Sequence, residues 1–237
     1  MGVALRMAPE YGKGCWRRRG RLAGKSVMRV MLGLAAFAAL FSVQVRAQDA
    51  QADYDAAVAL VDEQDDEAGA FALFERACAQ DHAMACLRAG DVLGLLSETE
   101  EEDERALELI TKGCDLGEKF ACRTAGDEYS FMEGGDPEAL ALFVRGCDLE
   151  DAISCKQAGF MHHTGQGTAR SYTEARALYD RSCTLGDPAG CHAAGVTVIS
   201  EQGRSGYPLA RSFFERGLAI DPEHPDSKQA LEQIAGF

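Results

Sequence analysis

The chain has 237 residues, with 38 acidic against 24 basic side chains and nine cysteines, the size of one or two ordinary soluble domains. Residues 1–47 hold nine of the basic side chains and a single acid, Glu10, which leaves 48–237 with 15 basic and 37 acidic groups, a net charge of −22. That sign argues against a nucleic-acid binder and against attraction to anionic membrane surfaces, while aliphatic and aromatic residues recur too regularly for a disordered chain.

The first segment is read as a leader. Basic residues up to Arg29 precede the apolar run VMLGLAAFAALFSV at 30–43, and Val45-Arg46-Ala47 follows. A basic start, a short apolar core and a small residue before the cut describe a secretory signal peptide. Cleavage is expected after Ala47, and Met28 would open a compact signal by itself, so 1–27 is read as a start-site artefact. Fourteen apolar residues fall short of the roughly 20 a membrane span needs. An uncleaved anchor and an Arg-rich mitochondrial presequence are the alternatives.

Residues 48–237 then repeat. The first unit sets Ala70, Leu73, Phe74 and Arg76 before Cys78, and Ala89-Gly90 after Cys86. The second has Ala106, Leu109, Ile110, Lys112 and Cys114, then Cys122 and Ala125-Gly126. The third has Ala139, Leu142, Phe143, Arg145 and Cys147, then Cys155 and Ala158-Gly159; the fourth has Ala175, Leu178, Tyr179, Arg181 and Cys183, then Cys191 and Ala194-Gly195. A fifth keeps Ala210, Phe213, Phe214 and Arg216, with Leu218 in the cysteine place. Successive first cysteines lie 36, 33 and 36 apart, a period that marks a helical solenoid.

The offsets have a helical cause. Ala, Leu and an aromatic or Ile at −8, −5 and −4, then Cys at 0, make one apolar helix face. The cation at −2 suits a helix C-terminus. Asp136-Pro137 is read as an N-cap followed by Pro in the first turn, and Ser171 with Glu174 as a capping box. Turn residues such as Gly117, Asp151 and Gly186-Asp187-Pro188 separate the two cysteines of a pair. Small residues at one place in each second helix predict close helix–helix approach. Each unit is therefore helix, turn, helix, stacked on the next.

On one continuous helix, cysteines eight apart would hold their Cα atoms about 12 Å from each other, beyond the roughly 7 Å a disulfide tolerates. A chain reversal removes that obstacle, and the even set of eight cysteines left once Cys15 is counted with the leader favours oxidation behind an export signal. The expectation is four local disulfides: Cys78 with Cys86, Cys114 with Cys122, Cys147 with Cys155, and Cys183 with Cys191. Structural zinc is an alternative, although its ligands usually stand two to four residues apart. A redox-active dithiol is the other, and it needs a positive neighbourhood for its thiolate.

Units of about 36 residues with C-x7-C and a following Ala-Gly resemble the Sel1-like repeats over about 52–237, and more closely their secreted cysteine-rich branch, the Helicobacter cysteine-rich proteins. The resemblance implies an all-α, tetratricopeptide-related α/α solenoid with one disulfide per repeat. It implies a monomeric scaffold that takes a protein or peptide on its concave face, without a cofactor. The cysteine-poor units at Tyr54–Gln80 and Pro208–Phe237 are read as caps.

The branch is also associated with β-lactam binding and weak hydrolysis. No Ser-x-x-Lys, Ser-Asp-Asn or Lys-Thr-Gly string occurs here. His162 and His163 would project about 100° apart on a helix and are read as a surface pair at a helix end; His82 and His192 fall in or beside turns. The acidic runs 62–67 and 98–104 are read as solvated loops and helix starts. No catalytic residue and no metal ligand is assigned. The function expected is an exported binding scaffold, periplasmic or secreted and free of the membrane after cleavage. A β-lactam-binding protein and an oxidative-folding or assembly helper are the alternatives.

Overall fold

The computed structural model describes residues 47–236, in which every regular element is helical. The expected leader lies, but for Ala47, outside these residues. Residues 49–237 form one compact unit. The first helix is α1 over 47–64, then come α2 (Glu67–Ala79), α3 (Ala83–Leu96), α4 (Glu100–Asp115), α5 (Lys119–Phe131) and α6 (Asp136–Asp148). After these come α7 (Ala152–Thr164), α8 (Tyr172–Thr184), α9 (Pro188–Gln202), a 3-10 turn at Gly203–Gly206, α10 (Tyr207–Ile220) and α11 (Pro225–Ile234). The solenoid expected from the repeat is the architecture found. Each helix packs on the next, and α3, α5, α7, α9 and α11 also meet their second neighbours.

The apolar stripe is buried as its spacing requires. Ala70, Ala139, Ala175 and Ala210 are wholly buried, and Phe74, Phe143 and Phe214 fill the cores between units. The small residues of the second helices face these large side chains. A Cβ built on Gly90 would stand 2.4 Å from Ile110 Cγ1, one on Gly126 2.7 Å from Phe143 Cε1, and one on Gly159 2.9 Å from Tyr179 Cδ1. A hydrogen at these positions lets α3 lie on α4, α5 on α6 and α7 on α8, and Gly195 does the same for α9 on α10. Burial pushes the Tyr179 phenol up to about 12.

The chain reverses between the cysteines of every pair. The third residue after each first cysteine is left-handed: Asp81 (φ 64°), Gly117 (φ 92°), Glu150 (φ 63°) and Gly186 (φ 96°). The following amide reaches back five residues, as in Glu118 N to Gly113 O and Asp151 N to Gly146 O, both 3.0 Å, which closes the helix end in a Schellman-type turn. The next residue then caps the second helix. His82, Glu118, Asp151 and Asp187 each accept an amide hydrogen of the first turn through their side chains. With the backbone doubled back, the four pairs are bonded as expected, at Cα separations of 4.6, 4.5, 4.4 and 4.5 Å.

One cap differs from the sequence reading. At α6 the cap position is Gly135, with no side-chain bond, and Asp136 is already helical. Gly135 is held there because its Cβ would meet Tyr129 O at 2.2 Å. At α8 Ser171 does accept from Glu174 N. The fuller capping box lies at α4, where Thr99 accepts from Glu102 N and the Glu102 carboxylate accepts from Thr99 Oγ1 and Glu98 N.

Candidate interaction surface

The cation at −2 does more than meet its own helix dipole. Arg76 pairs with Asp53, Lys112 with Asp81, Arg145 with Asp115, Arg181 with Asp148 and Arg216 with Asp180. Three of these cations also donate to a backbone oxygen near the end of the preceding first helix: Lys112 to Cys78, Arg145 to Asp115 and Arg181 to Asp148. One row of cations thus ties each unit to the unit before it. These pairs are largely exposed, so each is worth at most about 1 kcal/mol; their value is in fixing register.

A second, more buried row runs through the caps of the second helices. Arg123, next to Cys122, reaches the α7 cap Asp151 at 3.1 Å, and Lys156, next to Cys155, reaches the α9 cap Asp187 at 3.0 Å. Asp151 is only 5 % exposed. Its carboxylate is satisfied by Ser154 N at 2.9 Å, Ser154 Oγ at 2.6 Å and Arg123, which is what a buried charge requires.

At the next unit the same place holds His192, whose ring lies 6.1 Å from that of the α11 cap His224. His192 borders a cavity of about 240 Å³ lined also by Val196 and Ile199 from α9, Phe214 from α10, and Asp226 and Gln229 from α11. Burial holds the His192 imidazole below its ordinary value, with Asp226 acting against this and His224 adding to it.

Helices α3, α5, α7 and α9 carry a row of side chains five residues after their cysteine: Asp91, Asp127, Phe160 and Val196. Phe160 is 50 % exposed and Val196 38 %. Desolvation raises the Asp127 carboxyl, against a hydrogen bond from Gln157 and the charge of Arg123. The row is therefore polar in its first half and apolar in its second. No signal in the periodic sequence separates it from the rest of the solvent face, because only the observed second-neighbour packing tells which helices share a side.

The remaining histidines fall apart. His162 and His163 end α7, as expected, yet both are half-buried rather than a free surface pair. His163 Nδ1 lies 3.1 Å from Thr197 Oγ1, and its ring stands edge-on to Tyr172. Burial first, and then Arg170, hold its imidazole below the usual range. His82 stacks on Tyr54 at 4.7 Å and accepts from Ala85 N. Among the described residues no cluster of three or more His, Cys, Asp or Glu has the geometry to hold a metal ion, and no helix is long and apolar enough to cross a membrane. All eight paired cysteines are buried, at 2 % exposure or less.

Three stretches, 62–82, 83–118 and 152–187, match the Sel1 repeat family. The matched units pair α3 with α4 and α7 with α8, so each disulfide joins two consecutive units. The unit between them, α5 with α6, keeps the register but is the one shortened by three residues. None of the curated proteins matches the sequence.

Among solved structures, a protective antigen of uropathogenic Escherichia coli with an SLR fold is similar over 79 % of this chain and 40 % of its own, at 18 % identity and a TM-score of 0.66. The chain thus spans two fifths of that relative. A Sel1 repeat protein from Oxalobacter formigenes is similar over 79 % of this chain and 88 % of its own, at 12 % identity and a TM-score of 0.57. Helicobacter pylori cysteine rich protein B aligns over 53 % of this chain and 92 % of its own, at 22 % identity and a TM-score of 0.42.

Proposed function

The chain carries Sel1 repeats, and from that premise we propose that it is an exported scaffold that binds a protein or peptide along the side formed by α3, α5, α7, α9 and α11. The observation that carries this reading is the row of exposed Asp91, half-buried Asp127 and exposed Phe160 and Val196 on helices that pack against their second neighbours. Closer approach on one side of a stacked array makes that side the inner one, and solenoids use such surfaces for extended ligands.

Four buried disulfides support residence in an oxidising compartment, the periplasm or the exterior, with the leader removed after Ala47. The scaffold acts as a monomer. Burial of the sulfurs argues against the oxidative-folding alternative, since exchange needs an attackable disulfide. β-Lactam chemistry has only the resemblance behind it.

The test is a crosslinking pull-down from the exported fraction with the native chain and with a Phe160→Glu/Val196→Glu variant that melts normally. A protein retained by the native chain and lost by the variant supports the proposal. An unchanged bound set sinks it. Intact mass of the exported protein reports whether Gln48 is the N-terminus.

A further inference from the structure

A second recess, of about 470 Å³, lies along α4 and the C-terminal end of α5. Its wall on α4 is a single stripe, with Glu104, Glu108 and Thr111 at helical spacing. Opposite stand the Tyr129 ring and the Met132 thioether, and Leu107 adds apolar surface. Lys112 and Asp115 also border it, but both are engaged between units, with Asp81 and with Arg145.

The carboxylates of Glu104 and Glu108 take part in no ion pair among the described residues, and Thr111 Oγ1 is buried without a hydrogen-bond partner. A buried hydroxyl left unsatisfied is an exception in native structures and calls for an explanation.

The repeat does not require this chemistry. At the place of Glu108 the other cysteine-bearing units have Ala72, Ala141 and Ala177, and at the place of Glu104 they have Ala68, Pro137 and Thr173. The recess also sits beside residues 132–135, the connection within the unit that is three residues shorter than the others. Two unneutralised carboxylates one turn apart, an aromatic face, a thioether and an unused hydroxyl complement one kind of group: a cationic head on an aliphatic stem. The head meets carboxylates and a ring face, and the methylenes lie on Leu107 and Met132.

We propose that this recess seats a lysine or arginine side chain of a partner protein. The site lies chiefly on α4, goes beyond the inner-side reading, and stands or falls apart from it.

The test uses the disulfide-bonded protein and two peptides, acetyl-Ala-Leu-Arg-Leu-Ala-amide and the same peptide with citrulline for arginine, followed by amide chemical shifts. The arginine peptide is expected to move resonances at 104–111 and around Tyr129, and the neutral one to bind about tenfold more weakly, a loss of about 1.4 kcal/mol. Glu104→Gln/Glu108→Gln should weaken the arginine peptide about tenfold, and the charge-matched Glu215→Gln/Glu232→Gln less than about twofold, because only close pairs give large coupling. Phe160→Glu/Val196→Glu should leave this binding unchanged, which separates the two proposals. Shifts scattered over the anionic surface, equal losses in the two glutamine pairs, or no shifts at millimolar peptide would overturn it.

Discussion

Gly195 of α9 lies flat against the ring of Phe214 in α10, so that a Cβ built on it would stand 2.4 Å from Phe214 Cε1. Phe214 is fully buried and cannot retreat. Gly195→Ala is therefore expected to cost about 1–3 kcal/mol through overpacking, despite the better helix propensity of alanine. Gly94→Ala in α3 is the control: the nearest atom there is Ala106 Cβ at 3.8 Å, an ordinary contact. It should gain up to about 1 kcal/mol. Urea unfolding of the two variants checks both signs.

Each disulfide closes a loop of about nine residues, for which the chain-entropy estimate is about 2.6 kcal/mol. Replacing Cys147 and Cys155 by alanine should lower stability by about 2–3 kcal/mol. Calorimetry of this variant, and of the native protein after reduction and alkylation, tests the assignment. A melting curve indifferent to reduction would contradict it.

Much of this fold was legible before any coordinates, and the reason is repetition. Helix faces, turns and pairings recur four times, so a weak signal at Leu73 or Ala89-Gly90 is reinforced at Leu109, Leu142 and Leu178, or at Ala125, Ala158 and Ala194. What stayed hidden is non-periodic or depends on curvature. Glu150 gives no sign by residue type that it occupies the left-handed position; only its register with Gly117 and Gly186 points to it. The Arg145–Asp115 and Arg181–Asp148 pairs join residues 30 and 33 apart and follow from the stacking rise between units, which composition does not encode. The recess at Glu104 and Glu108 was hidden because Glu104 reads as part of a solvated helix start, and only the packing of α5 beside α4 brings Tyr129 and Met132 to it.

Asp151 caps α7 and accepts from Arg123 while almost wholly buried. Asp151→Ala removes the cap and leaves Arg123, which is 25 % exposed, without its counter-ion. The cap alone is worth about 1–2 kcal/mol. Loss of a partner from a buried pair adds to that, so a total of about 2–3 kcal/mol is expected. Asp151→Asn should retain much of the capping, and chemical denaturation of the two variants separates cap from charge.

The imidazole of His192 is held below its ordinary value, chiefly by burial. The unfolded chain therefore binds the proton more readily than the folded one. Its contribution to stability is complete above the unfolded value of roughly 6.5 and is lost as the pH falls from there through the folded value. Asp127, whose carboxyl is raised by desolvation, acts with the opposite sign, and His163, also held below its ordinary value, acts with the same sign as His192. Unfolding free energy measured from pH 7.5 to 5 should decline in the native protein, and His192→Asn should flatten that decline. An unchanged slope would remove His192 from the account.

Glu150 adopts φ 63° at the place where two other turns use glycine, Gly117 and Gly186. A side chain in that conformation costs about 1–2 kcal/mol relative to the right-handed region, while glycine adopts it freely. Glycine also loses more entropy on folding, which offsets part of the gain. Glu150 makes no side-chain ion pair among the described residues; its backbone oxygen lies 3.5 Å from Lys119 Nζ, a contact glycine would keep. Glu150→Gly should therefore raise stability by about 0.5–1 kcal/mol. The same change at Asp81, also left-handed, should gain less, because it removes the carboxylate that pairs with Lys112. Thermal unfolding of the two variants side by side checks the order; a destabilised Glu150→Gly would show that the turn is held by something other than backbone preference.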